Sequence, residues 1–146
     1  MTDTEERAKA CMDNGYHCSQ TMMLLSLALR EMDEPFTIRA MGGLGGGMFA
    51  QRTCGTLTGG TCMLASYFMR EGDEPEPTGY APLAQALVEW FEKEHGSINC
   101  FDLVRFDQEH IAEVCPGIIA GAFDHCVELL RENGIDPCAS TASSNR

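Results

Sequence analysis

CPGIIAGAFDHCVELL, residues 115–130, decides the fold. Its apolar positions are Cys115, Ile118, Ile119, Ala122, Phe123, Cys126, Val127 and Leu130, at offsets 0, 3, 4, 7, 8, 11, 12 and 15. On a helix of 3.6 residues per turn these fall on one stripe, and a stripe of this width faces a core. Pro116 suits a first turn, where the missing N–H has no helical partner to lose. Asn133-Gly134 supplies a stop. The pattern predicts a long amphipathic helix from 116 to 133.

The same period recurs upstream. Residues 82–95 put Leu83, Leu87, Val88, Trp90 and Phe91 on one face and Gln85, Glu89, Glu92 and Lys93 on the other, between Pro82 and His95-Gly96. Residues 16–32 are apolar around most of their girth (Met22, Met23, Leu25, Leu27, Ala28, Leu29), which predicts a central helix ended by Glu34-Pro35. Shorter helices are predicted over 4–13, stopped by Asn14-Gly15, and over 36–41. A second buried helix is predicted over 54–70, followed by an acidic, proline-bearing exposed loop at 71–78. No run alternates with the period of a strand. The expectation is an all-α fold: a single-domain bundle of five or six helices over 1–134, with a flexible tail at 135–146. A chain of 146 residues should bury roughly 68–70% of its unfolded surface and needs no staples.

Ten Lys and Arg against 22 Asp and Glu give a net charge of −12. Nucleic acid is disfavoured, because phosphate must be neutralised by cations, and so is an anionic membrane surface. The longest apolar stretch, 21–29, is shorter than the roughly 20 residues that cross a bilayer. The opening Met-Thr-Asp-Thr-Glu-Glu-Arg has no apolar run of the signal-peptide kind. The expectation is a cytoplasmic protein without membrane insertion, whose cysteines stay reduced.

There are eight cysteines, at 11, 18, 54, 62, 100, 115, 126 and 138, and no two lie closer than seven apart. Zinc knuckles and ribbons use close C-x-x-C pairs, so a shared site here must be assembled from distant segments. Each thiol taken alone is most simply core filler. Cys126, mid-stripe, and Cys62, inside an apolar run, fit that description. Asn14-Gly15 separates Cys11 from Cys18, and Cys138 stands in the tail. Cys18, Cys54, Cys100 and Cys115 fall instead at predicted helix starts. Free N–H groups and the positive end of the macrodipole there stabilise a thiolate, the form that binds metal or attacks a disulfide.

Five glycines crowd Gly42-Gly43-Leu44-Gly45-Gly46-Gly47-Met48. No Gly-Lys-Ser/Thr follows, and Met48 stands where a dinucleotide fingerprint wants glycine, so nucleotide binding is not indicated. Close backbone approach explains the glycines better. Gly45, Gly46, Gly47 and Gly55 are candidate N–H donors to a cofactor or thiolate. His17 and His125 adjoin Cys18 and Cys126, but neighbouring helical residues do not face each other. No C-x-x-C-H is present for haem attachment, and the nine methionines read as core filler.

Taken in order, Gly15-Tyr16-His17-Cys18-Ser19-Gln20, Gly45-Gly46-Gly47-Met48, Cys54-Gly55-Thr56-Leu57-Thr58-Gly59, Cys100-Phe101-Asp102-Leu103 and Cys115 resemble the bacterial C_GCAxxG_C_C family of putative redox-active proteins. The resemblance runs from about residue 4 to 133. Four cysteines characterise that family, and they match Cys18, Cys54, Cys100 and Cys115. Thr56 stands where the family usually has alanine, and it is also small. The family is similar in turn to the iron–sulfur part of split-Soret cytochromes, which implies a cluster held by cysteines. The expectation that follows is an electron-transfer or redox-sensing protein in which these four thiols ligate an iron–sulfur cluster, most simply 2Fe–2S, and exchange electrons with an unidentified partner protein. A thiol–disulfide protein with Cys54 as attacker is the alternative. A structural zinc site and a helical interaction module whose cysteines only pack are further readings, and a homodimer is compatible with each.

Overall fold

The computed structural model describes residues 1–68, 72–75 and 77–140. Seven α-helices lie among them: α1 (Asp3–Asp13), α2 (Cys18–Arg30), α3 (Pro35–Met41), α4 (Gly55–Ala65), α5 (Ala81–His95), α6 (Cys100–Leu103) and α7 (Gln108–Glu132). The described residues contain no strand, only one isolated bridge between Thr53 and Asn99. The all-α class holds, with seven helices in place of five or six. The one outside that count is the four-residue α6, whose start was expected at Cys100 but which is too short to show a hydrophobic period. Residues 69–70, 71, 76 and 141–146, parts of the expected fourth helix, acidic loop and tail, lie outside the described residues.

Local signals set most helix ends. Thr2 Oγ1 accepts the Glu5 N–H at 3.1 Å and opens α1. Gly15, at φ +92°, lets the chain turn away after it. Pro35 and Pro82 sit in the first turns of α3 and α5, where proline loses no hydrogen bond.

The start of α7 corrects the sequence reading. The helix begins at Gln108 rather than at 116, capped by Asp107, whose Oδ1 accepts the His110 N–H at 2.8 Å. That bond is the main reason the Asp107 carboxyl is held below its ordinary pKa. Pro116 lies inside the helix, so the Ala112 carbonyl loses its usual donor. The predicted stripe does face the core: Ile119, Ala122, Phe123, Cys126 and Leu130 are buried.

Helices α2 and α4 cross at the centre. A Cβ on Gly59 would stand 2.7 Å from the Ser19 carbonyl oxygen and 2.9 Å from Ser19 Cα. Glycine is what allows the two backbones to touch. Around this crossing Met22, Leu57, Met63, Leu64, Leu87, Phe91, Ile119 and Leu130 pack from α2, α4, α5 and α7. On the other side of α2, Met23 and Leu27 meet Ile38 and Met41 of α3.

Residues 135–140, expected as a loose tail, are docked. Ile135 is buried, and the Pro137 carbonyl accepts the Tyr67 hydroxyl at 2.6 Å. Arg30 lies over the Tyr67 ring, 3.8 Å from its centroid. Its guanidinium donates to the carbonyls of Ala139 at 2.9 Å and Ser140 at 2.6 Å. Among the described residues no helix is long and apolar enough to cross a membrane.

Candidate functional site: four thiols and a strained turn

The glycine run forms a 3₁₀ turn (Gly42–Leu44) followed by a π-type turn (Gly47–Gln51). Gly46, Gly47, Met48 and Phe49 have φ of 56°, 62°, 61° and 54°, and Gln51 has 60°. Such a run of left-handed residues is uncommon, since L side chains resist that region. It brings the Gly46 N–H beside the Cys18 sulfur, where it favours the thiolate together with the Ser19 N–H. Gly45 packs on His17, where a Cβ would lie 2.7 Å from ring Cγ. Gly47 packs on Arg52, its Cβ position 2.5 Å from the Arg52 nitrogen. A Cβ on Gly55 would stand 2.6 Å from Cys18 Sγ. Of these glycines only Gly55 abuts a cysteine sulfur; Gly45 abuts its neighbour His17, and Gly47 abuts Arg52.

Cys54 precedes α4 as its cap residue. The backbone N–H groups of Thr56 and Leu57 and the Thr56 hydroxyl lie beside its sulfur and favour its thiolate. Cys54 N–H donates to Ile98 O, and Cys100 N–H donates to Arg52 O, both at 2.7 Å. With the Thr53–Asn99 bridge between them, these bonds fix Cys54 and Cys100 relative to each other. Cys18 and Cys100 are the first residues of α2 and α6. Three of the four helix-start assignments therefore hold. Cys115 is the exception: it lies two turns inside α7, where no orphan N–H groups reach it.

Three of the four thiols nevertheless meet at one cavity. Cys18, Cys100 and Cys115 line one cavity of about 410 Å³. Cys115 lies within the electrostatic reach of Cys18, Cys54 and Cys100, and Cys18 within that of Cys54 and Cys100. Burial, and then mutual repulsion between thiolates, pushes Cys18 up to about 11 and Cys115 up to about 12. Burial also raises Cys54, more than its N–H donors lower it, and it raises Cys100. Metal-free Cys54 thus lacks the lowered pKa that a thiol attacker uses. Among the described residues no three His, Cys, Asp or Glu side chains come together tightly enough to hold a single metal ion.

The remaining cysteines stand apart from the cavity lining. Cys126 is fully buried in the core, Cys11 and Cys62 are half-buried, and Cys138 is exposed. His125 stacks on Trp90 at 4.2 Å. His17 meets Phe49 edge-on at 5.2 Å and lines the cavity, a role its sequence position beside Cys18 did not suggest.

The cavity's mouth was not foreseen. Tyr16, Phe49 and Phe106 line it while remaining 40%, 65% and 48% exposed. The available signal was aromatic residues in segments too polar and glycine-rich to form core.

A family model described as putative redox-active protein (C_GCAxxG_C_C) matches residues 16–129. No curated protein and no solved structure matches the chain. The matched span contains Cys18, Cys54, Cys100 and Cys115.

Proposed function

Because this chain belongs to the C_GCAxxG_C_C family, we propose that Cys18, Cys54, Cys100 and Cys115 hold an iron–sulfur cluster and that the protein transfers electrons or senses redox state through it. The observation that carries this reading is the donor arrangement. Cys18, Cys100 and Cys115 line one cavity, the Thr53–Asn99 bridge ties the Cys54 segment to Cys100, and backbone N–H groups beside Cys18 and Cys54 favour their thiolate forms. Four thiolates suit a cluster, and N–H donors to ligand sulfur are among the features that tune its potential. Without a cation the thiols are held protonated by burial and by each other. A positive centre removes that repulsion, and the thiols release their protons to bind it.

Thr53 pairs with Asn99, so Cys54 and Cys100 sit diagonally across that bridge. Diagonal neighbours are about 7–8 Å apart, beyond the roughly 4.4–6.8 Å Cα separation of a disulfide, which argues against a disulfide between these two.

Bound there, the cluster would supply one-electron transfer. The chain's own part is to present the thiols, to aim Gly46, Ser19, Thr56 and Leu57 N–H groups at two of them, and to shut out water with the Met12, Val104 and Ile111 side chains of the lining.

The test is iron and zinc content with the visible spectrum of anaerobically purified protein. Stoichiometric iron and a brown colour are expected, both lost in the single Ser variants of the four cysteines and kept in Cys126→Ser. A colourless protein with stoichiometric zinc overturns the reading. So does a metal-free one whose thiols titrate reversibly between dithiol and disulfide.

A further inference from the structure

The cavity over the thiols has a property that the cluster does not explain. In a chain of 22 acidic and ten basic residues, its lining contains no Asp, Glu, Lys or Arg. Its floor is cysteine, and its mouth is aromatic. Tyr16, Phe49 and Phe106 stand substantially exposed around it, with Ile111 and Val104 below them. Polar donors are few: the Tyr16 hydroxyl, the Gln108 amide and His17. The cavity's volume of about 410 Å³, part of which a cluster on the floor cysteines would take, lies in the range of small-molecule sites, roughly 300–1,000 Å³, which are mostly apolar with a few placed polar groups.

The charge pattern selects the ligand class. A phosphate-bearing cofactor such as a flavin or nicotinamide nucleotide brings anionic groups into the site. An uncompensated charge in an apolar cavity carries a large desolvation cost, and no lysine or arginine lines the cavity to offset it. The protein's overall −12 repels such anions further. A neutral ring has neither problem. Aromatic faces attract flat rings, and hydroxyl and amide donors suit carbonyl oxygens on the ring.

We propose that this cavity binds an uncharged ring compound of the quinone class, packed against Phe49 and Phe106 and hydrogen-bonded by Tyr16 or Gln108. Its role as the electron-exchange partner rests on the iron–sulfur reading above, whereas its binding does not.

The test is isothermal titration of the anaerobically purified full-length chain with duroquinone. That quinone is fully substituted, so thiols have no free ring carbon to attack. Anthraquinone-2-sulfonate serves as the anionic counterpart. Duroquinone should bind one per chain and about tenfold more tightly than the sulfonate, and Phe106→Ala should weaken it by about tenfold. Phe36→Ala, at a phenylalanine outside the lining that is more exposed still, at 73%, should leave binding unchanged. Phe106→Lys places a cation at the mouth and should reverse the preference towards the sulfonate. Absence of duroquinone binding overturns the proposal, as does binding indifferent to Phe106→Ala or equal affinity for the sulfonate. If duroquinone fails to bind, the cavity's exposed aromatics are left to a protein partner. Iron measured on the same sample keeps the cluster and the quinone site apart. Iron without duroquinone binding overturns this inference alone, and binding without iron overturns the cluster alone.

Discussion

The same substitution, glycine to alanine inside a helix, should have opposite signs at two places in this fold. At Gly117 of α7 an added Cβ meets nothing within 4 Å. Alanine there gains helix propensity and reduces unfolded-state entropy, about 0.5–1 kcal/mol of stabilisation. At Gly59 of α4 the Cβ would lie 2.7 Å from Ser19 O and 2.9 Å from Ser19 Cα, against an ordinary contact of 3.4–4 Å. Both obstacles are backbone, so no rotamer change relieves them. Helices α2 and α4 must part by about 0.7 Å at the centre of the core. Overpacking of that kind costs about 1–3 kcal/mol, and a rigid obstacle belongs at the upper end. Subtracting the propensity gain leaves Gly59→Ala destabilised by about 2 kcal/mol. For a domain of this size that is roughly 6–8 °C in Tm. Thermal and urea melts of the two variants, followed by circular dichroism, provide the measurement. A Gly59→Ala variant as stable as the parent would refute the claim that glycine sets the α2–α4 contact, and a Gly117→Ala variant clearly less stable would refute the open space beside that position.

Three other outcomes follow from the same structure. Gly55→Ala should push the Cys18 thiol aside, since its Cβ would stand 2.6 Å from Sγ; iron retained per chain should fall, while Gly117→Ala keeps it. Arg30→Met should orphan the carbonyls of Ser66, Ala139 and Ser140, costing about 2–4 kcal/mol; limited proteolysis should then cut near 139–140 first, and an unchanged cleavage pattern would dismiss the docked tail. Metal-free protein should lose stability as pH rises above 9. The folded thiols of Cys115 and Cys126 stay protonated up to about 12, while those of the unfolded chain ionise from the ordinary value of 9.0. The unfolded state therefore binds fewer protons, and each such thiol removes about 1.4 kcal/mol per pH unit across that window. Cys126→Val should flatten the urea-midpoint profile between pH 9 and 11, and a profile identical to the parent's would argue against a buried neutral thiol there.

What could be read in the sequence was whatever a short window encodes. Cys18, Cys54 and Cys100 announce themselves because the residues around them are start signals, and the structure places them at starts. Cys115 misleads because Pro116 is an equally good first-turn residue. The actual cap, Asp107, stands eight residues earlier, behind a thinly apolar stretch of Gln-Glu-His-Ile-Ala-Glu. The tail at 135–140 reads as small and polar because its partner is more than 100 residues away. Buried Arg30 has no carboxylate bond among the described hydrogen bonds and takes backbone carbonyls of that tail instead. Convergence of the four thiols is a tertiary fact throughout. No spacing between 18, 54, 100 and 115 carries it; the crossing of α2 with α4 and the Thr53–Asn99 bridge bring Cys18, Cys54 and Cys100 near one another, and α7 adds Cys115 to the cavity that Cys18 and Cys100 line.

The turn at 46–51 was the least legible feature, and it carries the sharpest remaining test. Met48, Phe49 and Gln51 occupy the left-handed region, at roughly 1–2 kcal/mol for each side chain. Little within the turn repays this: Arg52 N–H reaches Gly47 O at 3.1 Å, and Phe49 leans on His17. The compensation lies beyond it, in the Gly46 N–H held beside the Cys18 sulfur and in Arg52 O held by Cys100. Strain that persists because its surroundings over-determine it tends to mark a site. Met48 is 49% exposed, so replacing it by glycine loses little packing while removing its share of the strain. Met48→Gly should therefore raise stability by about 1 kcal/mol, despite the added flexibility of the unfolded chain. Iron content and spectrum should stay as in the parent, because the Gly46 N–H is untouched. A melt shifted downwards instead would mean that the left-handed run is not strained as described, and that Met48 contributes packing its exposure does not suggest.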